Sequence, residues 1–364
     1  MSRKFQFVLA IFTLLAFAAT LRPDAAPRTS PNEAWSFAVS GDSRNCGGVV
    51  MPGIAAGALQ QHPAFYWHLG DFRKMYDFDE DMQHEPAHRE KPMTISAYLD
   101  SAWEDFIENQ VAPFGSLPVF LGIGNHELIE PKTRDDYIKQ FGSWLATPIL
   151  EQQRLRDNPK DHQLRTYFHW VEKGVDFISM DNGSNDQFDP QQVSWFERVL
   201  KRDESDAAIT TIVVGMHRAL PESISRGHSM NESPTGIESG RRTYTDLLEA
   251  RDKFHKKVFA LASHSHFYME NTFNTDYWKS HGGVLPGWIV GTAGAVRYPL
   301  PENWKDAREA KTDVYGYLLG SVGADGEIQF VFHQINETDT PPAVVSRFTP
   351  EFVHWCFAEN RRAP

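Results

Sequence analysis

The chain has 364 residues, 41% of them hydrophobic and 13% aromatic, which supplies a sizeable core and excludes global disorder. Its formal charge of −12 repels phosphate backbones, so generic nucleic-acid binding is excluded and no stable nucleic-acid partner is expected. The length exceeds the usual single domain, yet one large α/β domain accommodates it.

Residues 1–21 begin with the basic stretch Ser2-Arg3-Lys4 and run apolar from Phe5 to Leu21. Ala16-Phe17-Ala18 gives a small-x-small pattern, and Arg22-Pro23 ends the run. This reads as a secretory signal peptide and predicts an exported protein, periplasmic or extracellular. The alternative is an uncleaved anchor, the one arrangement that would give this chain a membrane partner. Residues 22–34, rich in Pro and Ala, read as a linker. Export would permit one disulfide between Cys46 and Cys356; the other reading is two separately buried thiols.

From Trp35 short apolar runs recur, each bounded by Gly, Asn or Asp. Trp35–Ser40, Phe65–Leu69 and Val119–Gly122 read as buried strands. Between the last two lie a polar insertion, Phe78–Pro92, and a segment, Ser96–Gln110, that places Leu99, Trp103, Phe106 and Ile107 near one helical face. Val175–Met180 is the next strand, followed by a helix over Pro190–Arg202 that Asp189-Pro190 announces. Strands at Ile209–Gly215 and Val258–Ala262 flank a Ser/Gly/Glu-rich loop, Gly227–Arg242. Trp288–Gly291, Tyr315–Val322 and Ile328–Gln334 are late strands, the last two joined by the turn Ala324-Asp325-Gly326. Residues 336–364 form a tail with no assignable element. Strand–helix alternation predicts a layered α/β sheet fold.

The metal-capable residues fall just after the strands. Asp42 lies in Gly41-Asp42-Ser43-Arg44, Asp71 in Gly70-Asp71-Phe72-Arg73, and the third strand leads into Gly124-Asn125-His126-Glu127. His217 follows the strand at Ile209–Gly215, and Ser263-His264-Ser265-His266 follows the one at Val258–Ala262. Ligands in open α/β sheets bind outside the carboxyl ends of the strands, so these residues converge on one edge. A carboxylate can bridge two divalent ions, imidazole suits Zn, Fe or Mn, and an amide oxygen completes a shell. Alone, a Gly-Asp pair is a turn and a single His is structural; the ordered series carries the signal. His62, His68, His162, His169, His255 and His333 lie in core-like segments and read as structural, whereas His84, His88 and His228 lie in loops.

The order Gly-Asp, Gly-Asp, Gly-Asn-His-Glu, His, x-His-x-His resembles the calcineurin-like metallophosphoesterase superfamily, which includes the purple acid phosphatases. The resemblance spans roughly residues 36–335, within a domain placed at 35–335. It implies a four-layer α/β/β/α sandwich of two mixed sheets with helices outside. It also implies two divalent or trivalent metal ions (Fe, Mn or Zn) and hydrolysis of a small phosphorylated substrate. By position, Asp71 would bridge the metals. Asp42 and His266 would serve the first metal, Asn125, His217 and His264 the second, and His126 would be the general acid. Arg44, Arg73, Arg218 and Asn125 would contact substrate phosphate, since arginine forks match phosphate oxygens.

The sequence departs from that pattern twice. Arg44 stands where most relatives carry a ligand histidine, which leaves the first metal with Asp42, Asp71 and His266. Lys74 stands where purple acid phosphatases carry Tyr and other relatives carry an Asp that orients the catalytic histidine. Three roles are open to Arg44: contact with phosphate, replacement of metal charge, or pairing with a carboxylate to hold its loop. Alternatives of function are a phosphodiesterase or nucleotidase and, in another class, a non-hydrolytic binding module.

Overall fold

The computed structural model describes residues 34–89 and 91–362. The export signal expected at residues 1–21, and the linker up to residue 33, lie outside the described residues. Among these, no helix is long and apolar enough to cross a membrane.

In chain order the strands are β1 (Trp35–Ser40), β2 (Tyr66–His68), β3 (Val119–Leu121), β4 (Phe168–Glu172), β5 (Val175–Met180), β6 (Thr211–Met216), β7 (Lys257–Ala262), β8 (Tyr268–Glu270), β9 (Gly287–Val290), β10 (Glu309–Lys311), β11 (Tyr315–Val322) and β12 (Ile328–Ile335). They form two mixed sheets. One has the order β12-β11-β1-β2-β3, the other β10-β8-β9-β7-β6-β5-β4. β1, β2 and β3 run parallel, as do β5, β6, β7 and β9. Side chains alternate along each strand. Phe177 and Val213 therefore join the core cluster that contains Phe37 and Trp67 of the other sheet, while Ile178, Ile212 and Val214 join a second cluster. Aromatic edges fill the space between the sheets. The Phe37 and Phe177 centroids lie 4.9 Å apart, and those of Phe65 and Trp170 5.3 Å apart, both edge-on. Such pairs add about 0.5–1.5 kcal/mol each beyond the area they bury.

Helices cover the outer faces. Gly47–Gln60 packs on β11 and β12, and Pro190–Ser205 and Pro234–Asp252 cover the larger sheet. The expected four-layer arrangement of two mixed sheets flanked by helices is what the structure shows. Helix Pro190–Ser205 starts where Asp189 and Pro190 predict, with the Asp189 carboxylate accepting from Gln192 N at 2.9 Å. Gln192 in turn grips both sides of the Asp181 peptide, accepting from its N (2.7 Å) and donating to its O (2.8 Å), and so braces the end of β5.

Several elements differ from expectation. The helix expected over Ser96–Gln110 spans Ile95–Phe106 and then widens into a π turn, Ile107–Val111, that sets Gln110 between Ser43 and Arg73. The supposed loop Gly227–Arg242 contains the start of helix Pro234–Asp252, capped by Ser233, whose Oγ accepts from Gly236 N. Two of its glycines, Gly236 and Gly240, mark close approach: a Cβ on Gly240 would lie 2.4 Å from Pro221 Cδ. The polar insertion Phe78–Pro92 holds two short helices, Glu80–His84 and Pro86–Arg89, too brief to show a 3.6-residue period. β4, β8 and β10 were not foreseen; the last two, at three residues each, carry no readable alternation. Residues 336–362, expected as a tail, include helices Pro342–Phe348 and Pro350–Ala358, and the second is tied to the body by the Cys46–Cys356 disulfide.

His169 is structural, as expected, and charged. Its Nδ1 lies 2.8 Å from Asp176 and its Nε2 2.5 Å from Asp157. Burial opposes the charge, but Asp176 and Asp157 outweigh it and raise the pKa to about 9. The folded state thus holds this proton more tightly than the unfolded chain. The stabilisation is full below pH 6.5 and is lost as pH rises through about 9. On the order of 2–3 kcal/mol should vanish across that window in urea titrations, and His169→Gln should flatten the dependence.

Candidate metal centre

The parallel strands of both sheets end at one edge, and the loops leaving them carry the chemistry. Asp42, Asp71 and His264 adopt left-handed φ values of 61°, 61° and 64°. Such conformations are strained for residues other than glycine and concentrate at functional sites. The Asp42 and Asp71 loops hold each other through Asp42 N to Gly70 O and Ser43 N to Asp71 O, both 3.0 Å. Asp42 Oδ2 reaches the other sheet and accepts from His264 N at 2.6 Å. Glu127 gathers a further set, accepting from the backbone N–H groups of Asp71, Phe72 and Gly124, each at 2.8 Å. Gly124 admits no side chain, because a Cβ would lie 2.2 Å from Asp71 Oδ1.

Two donor sets meet at Asp71. In the first, His217 Nε2 lies 3.1 Å from Asn125 Oδ1, 3.0 Å from His264 Nδ1 and 3.3 Å from Asp71 Oδ1. The ligand atoms of Asp71, His217 and His264 all lie within 4.8 Å of one another. His217 Nδ1–H donates to Leu69 O (3.0 Å), which turns Nε2 toward this cluster. Such convergence of carboxylate, amide and imidazole acceptors fits a divalent cation.

The second set comprises Asp42, Asp71 and His266, and the Arg44 guanidinium lies among them. Arg44 Nη2 donates to His266 Nε2 at 2.8 Å, Nη1 donates to His126 Nε2, and Nε lies 3.8 Å from Asp71 Oδ2. Asp42 Oδ1, 3.2 Å from His266 Nε2, and Asp71 Oδ2 are buried without a hydrogen-bond donor. Burial opposes the charge on Arg44, yet Asp71 and Asp42 outweigh it and raise its pKa. Two unit charges about 4 Å apart interact by about 4 kcal/mol at an effective dielectric of about 20. A divalent ion beside this guanidinium would meet repulsion of that size or more. Arg44 also takes the His266 Nε2 lone pair that a metal would need, so the residues of this set do not fit a metal while Arg44 lies among them.

His126 is 5% exposed, its Nδ1–H donating to Lys74 O at 2.5 Å. The backbone carbonyl of Lys74 thus holds this ring, where the resemblance implied a side-chain carboxylate. The Lys74 ammonium turns instead to Phe78 O, Asp77 and Glu80. Burial, reinforced by Arg44 and opposed by Asp71, takes the His126 pKa down to about 4. Burial also works against the Asp71 charge, but His126, His217 and Arg44 hold that carboxyl well below its usual range. Asp71 raises His217 against its burial, while burial and the His217 charge push His264 far down.

Two expected phosphate contacts are placed otherwise. Arg73 is enclosed by Asp81, Asp105 and Asp79, carboxylates of the insertion and the following helix that its sequence position did not reveal. Arg218 points at Asp186 (2.6 Å) and Glu232 (3.2 Å), although its charge still bears on His264. Asn182 holds the Arg218 peptide on both sides, donating to its O (2.8 Å) and accepting from its N (3.1 Å). Tyr298 stacks on His266 with centroids 4.0 Å apart, His228 lies beside His264, and the Arg362 guanidinium sits 3.9 Å over Tyr298. No sequence signal pointed to Tyr298 or Arg362, since neither belongs to a strand-end motif. An apolar cavity of about 550 Å³, against Phe120, Trp144 and Trp170, lies at the amino ends of β2 and β3, away from this chemistry.

No protein-family model matches the chain, and no curated protein matches it in sequence. Among solved structures, that of PhoD is similar at a TM-score of 0.52 and 12% identity, over 86% of this chain and 72% of that one. GAP50, described as the anchor in the inner membrane complex of Plasmodium, is similar at a TM-score of 0.45 and 10% identity, over 91% of this chain and 98% of that one. Likeness at such identities bears on fold alone, and the first of the two, taken with the paired mixed sheets, shows that this chain has a metallophosphoesterase-like fold.

Proposed function

We propose that the chain is an exported, metal-dependent hydrolase of phosphate esters, of the calcineurin-like kind, acting on a small phosphorylated substrate. The observation that carries this reading is the convergence of Asp71, Asn125, His217 and His264 beside His126, on a metallophosphoesterase-like fold. A metal held by these four would polarise a phosphoryl oxygen and water. The chain's own groups do the rest. Arg44 sets fixed positive charge beside Asp71, in a buried site where such charge acts strongly. The Lys74 carbonyl fixes the His126 ring, whose Nε2 faces the centre and is the atom from which a proton would pass to the leaving oxygen. The disulfide supports export, since such bonds persist in oxidising compartments.

One observation favours a second reading, a binding module without turnover. In the resting arrangement His126 Nε2 accepts from Arg44, so the proposed acid holds no proton there to give. Asp71→Ala and His217→Ala separate the two. Hydrolysis at this centre requires metal content and phosphate release to be lost together in both variants. Release that survives loss of the metal would end the metal-dependent reading, and no release from the metal-loaded wild type would leave the binding module.

A further inference from the structure

We infer that Arg44 is the permanent cation of the half-site where the resemblance implied a first metal, so that the centre holds a single metal ion beside a guanidinium. The inference rests on the metal-centre reading only in taking Asp71, Asn125, His217 and His264 as the ligands of that one ion. Three observations support it.

The first is position. Arg44 Nη2 and Nη1 donate to the Nε2 atoms of His266 and His126, and its Nε lies beside Asp71 Oδ2. The guanidinium thus touches two of the three first-metal residues, together with the proposed acid.

The second is hydrogen-bond polarity, which the rest of the chain imposes. His266 Nδ1–H is committed to Val296 O at 2.6 Å and His126 Nδ1–H to Lys74 O at 2.5 Å. Both rings therefore present lone pairs inward at Nε2, and a guanidinium carries donors only. A side chain lodged there by accident would not meet two acceptors prepared by backbone carbonyls from separate segments.

The third is confinement. Arg44 is 6% exposed. Its loop is pinned by Asn45 N to Asp79 (2.5 Å), by Val296 N to Asn45 Oδ1 (3.1 Å) and by the disulfide at Cys46. These contacts fix the backbone on the C-terminal side of Arg44, so its side chain starts from a held position beside the half-site. A guanidinium never loses its charge near neutral pH, whereas a metal can be removed. Part of the positive charge facing the substrate is therefore independent of metal supply.

Metal stoichiometry, read without substrate, tests this. Wild-type protein, stripped and dialysed against excess Mn(II) or Zn(II), should retain one ion per chain by elemental analysis. Arg44→His, which restores an imidazole at the position, should retain two, and its Mn(II) form should show the exchange-coupled resonance of a paired centre where wild type shows an isolated ion. His217→Ala should retain none. Two ions in the wild type would overturn the inference, as would one ion in a folded Arg44→His chain. Since binding alone is read, a chain that holds one ion and hydrolyses nothing refutes the proposed hydrolase but leaves this inference standing. An active chain that holds two does the reverse.

Discussion

Replacing His126 with alanine is expected to lower kcat for phosphate-ester hydrolysis by about 10²–10⁴-fold, the usual contribution of a positioned general acid, while leaving the metal content of the chain unchanged. The separation follows from the geometry. His126 Nε2 lies 3.6 Å from Asp71 Oδ2 and touches Arg44, but it is not among the atoms that converge on His217. Its backbone N donates to Asp71 Oδ1 at 2.9 Å, and this contact survives truncation of the side chain. Steady-state kinetics with elemental analysis of the same preparation checks the expectation. A variant that retains wild-type kcat removes His126 from the chemistry, and one that loses its metal makes the ring structural instead.

The second large effect concerns the disulfide. Cys46 and Cys356 are 310 residues apart in sequence, so the bond closes nearly the whole described chain into one loop. Loop-closure entropy assigns such a cross-link about 5.7 kcal/mol, of which native disulfides deliver up to about 5 kcal/mol, and Cys356→Ser is expected to lower the free energy of unfolding by about 4–5 kcal/mol in urea titrations under oxidising conditions. Reduction of the wild type should reproduce the loss. The bond also joins helix Pro350–Ala358 to the loop of Asp42 and Arg44, and Asn360 O accepts from Arg297 Nε at 3.1 Å on the same side. Metal affinity should therefore weaken along with stability. A Cys356→Ser chain as stable as the wild type would show that the helix is held by packing alone.

These outcomes mark where sequence reasoning reached and where it stopped. The strand ends were legible because short apolar runs bounded by Gly and Asp announce buried strands, and Gly124-Asn125-His126-Glu127 is contiguous. The substitution at Arg44 was visible too, but not the place of its guanidinium, which depends on His266, 222 residues away. Lys74 misled for a different reason. Its side chain is the wrong type to orient His126, and the work falls to its backbone carbonyl, which any residue could supply. Arg73 looked like a phosphate ligand because it follows Asp71 closely, yet carboxylates on later elements capture it. The last helices stayed hidden because they are short and their anchor is Cys46, at the other end of the chain. What sequence shows poorly is thus backbone donors and long-range partners, which this centre uses heavily.

The most direct test of the central claim is phosphate release by chelator-stripped protein before and after reloading with Mn, Zn or Fe, using a generic phosphomonoester and a generic phosphodiester, with His217→Ala as control. The account predicts no release from the stripped protein, turnover of at least one ester on reloading, and none in the control. Reloaded protein that retains its metal through His217 yet releases phosphate from neither ester would contradict it, and would make the chain a binding module.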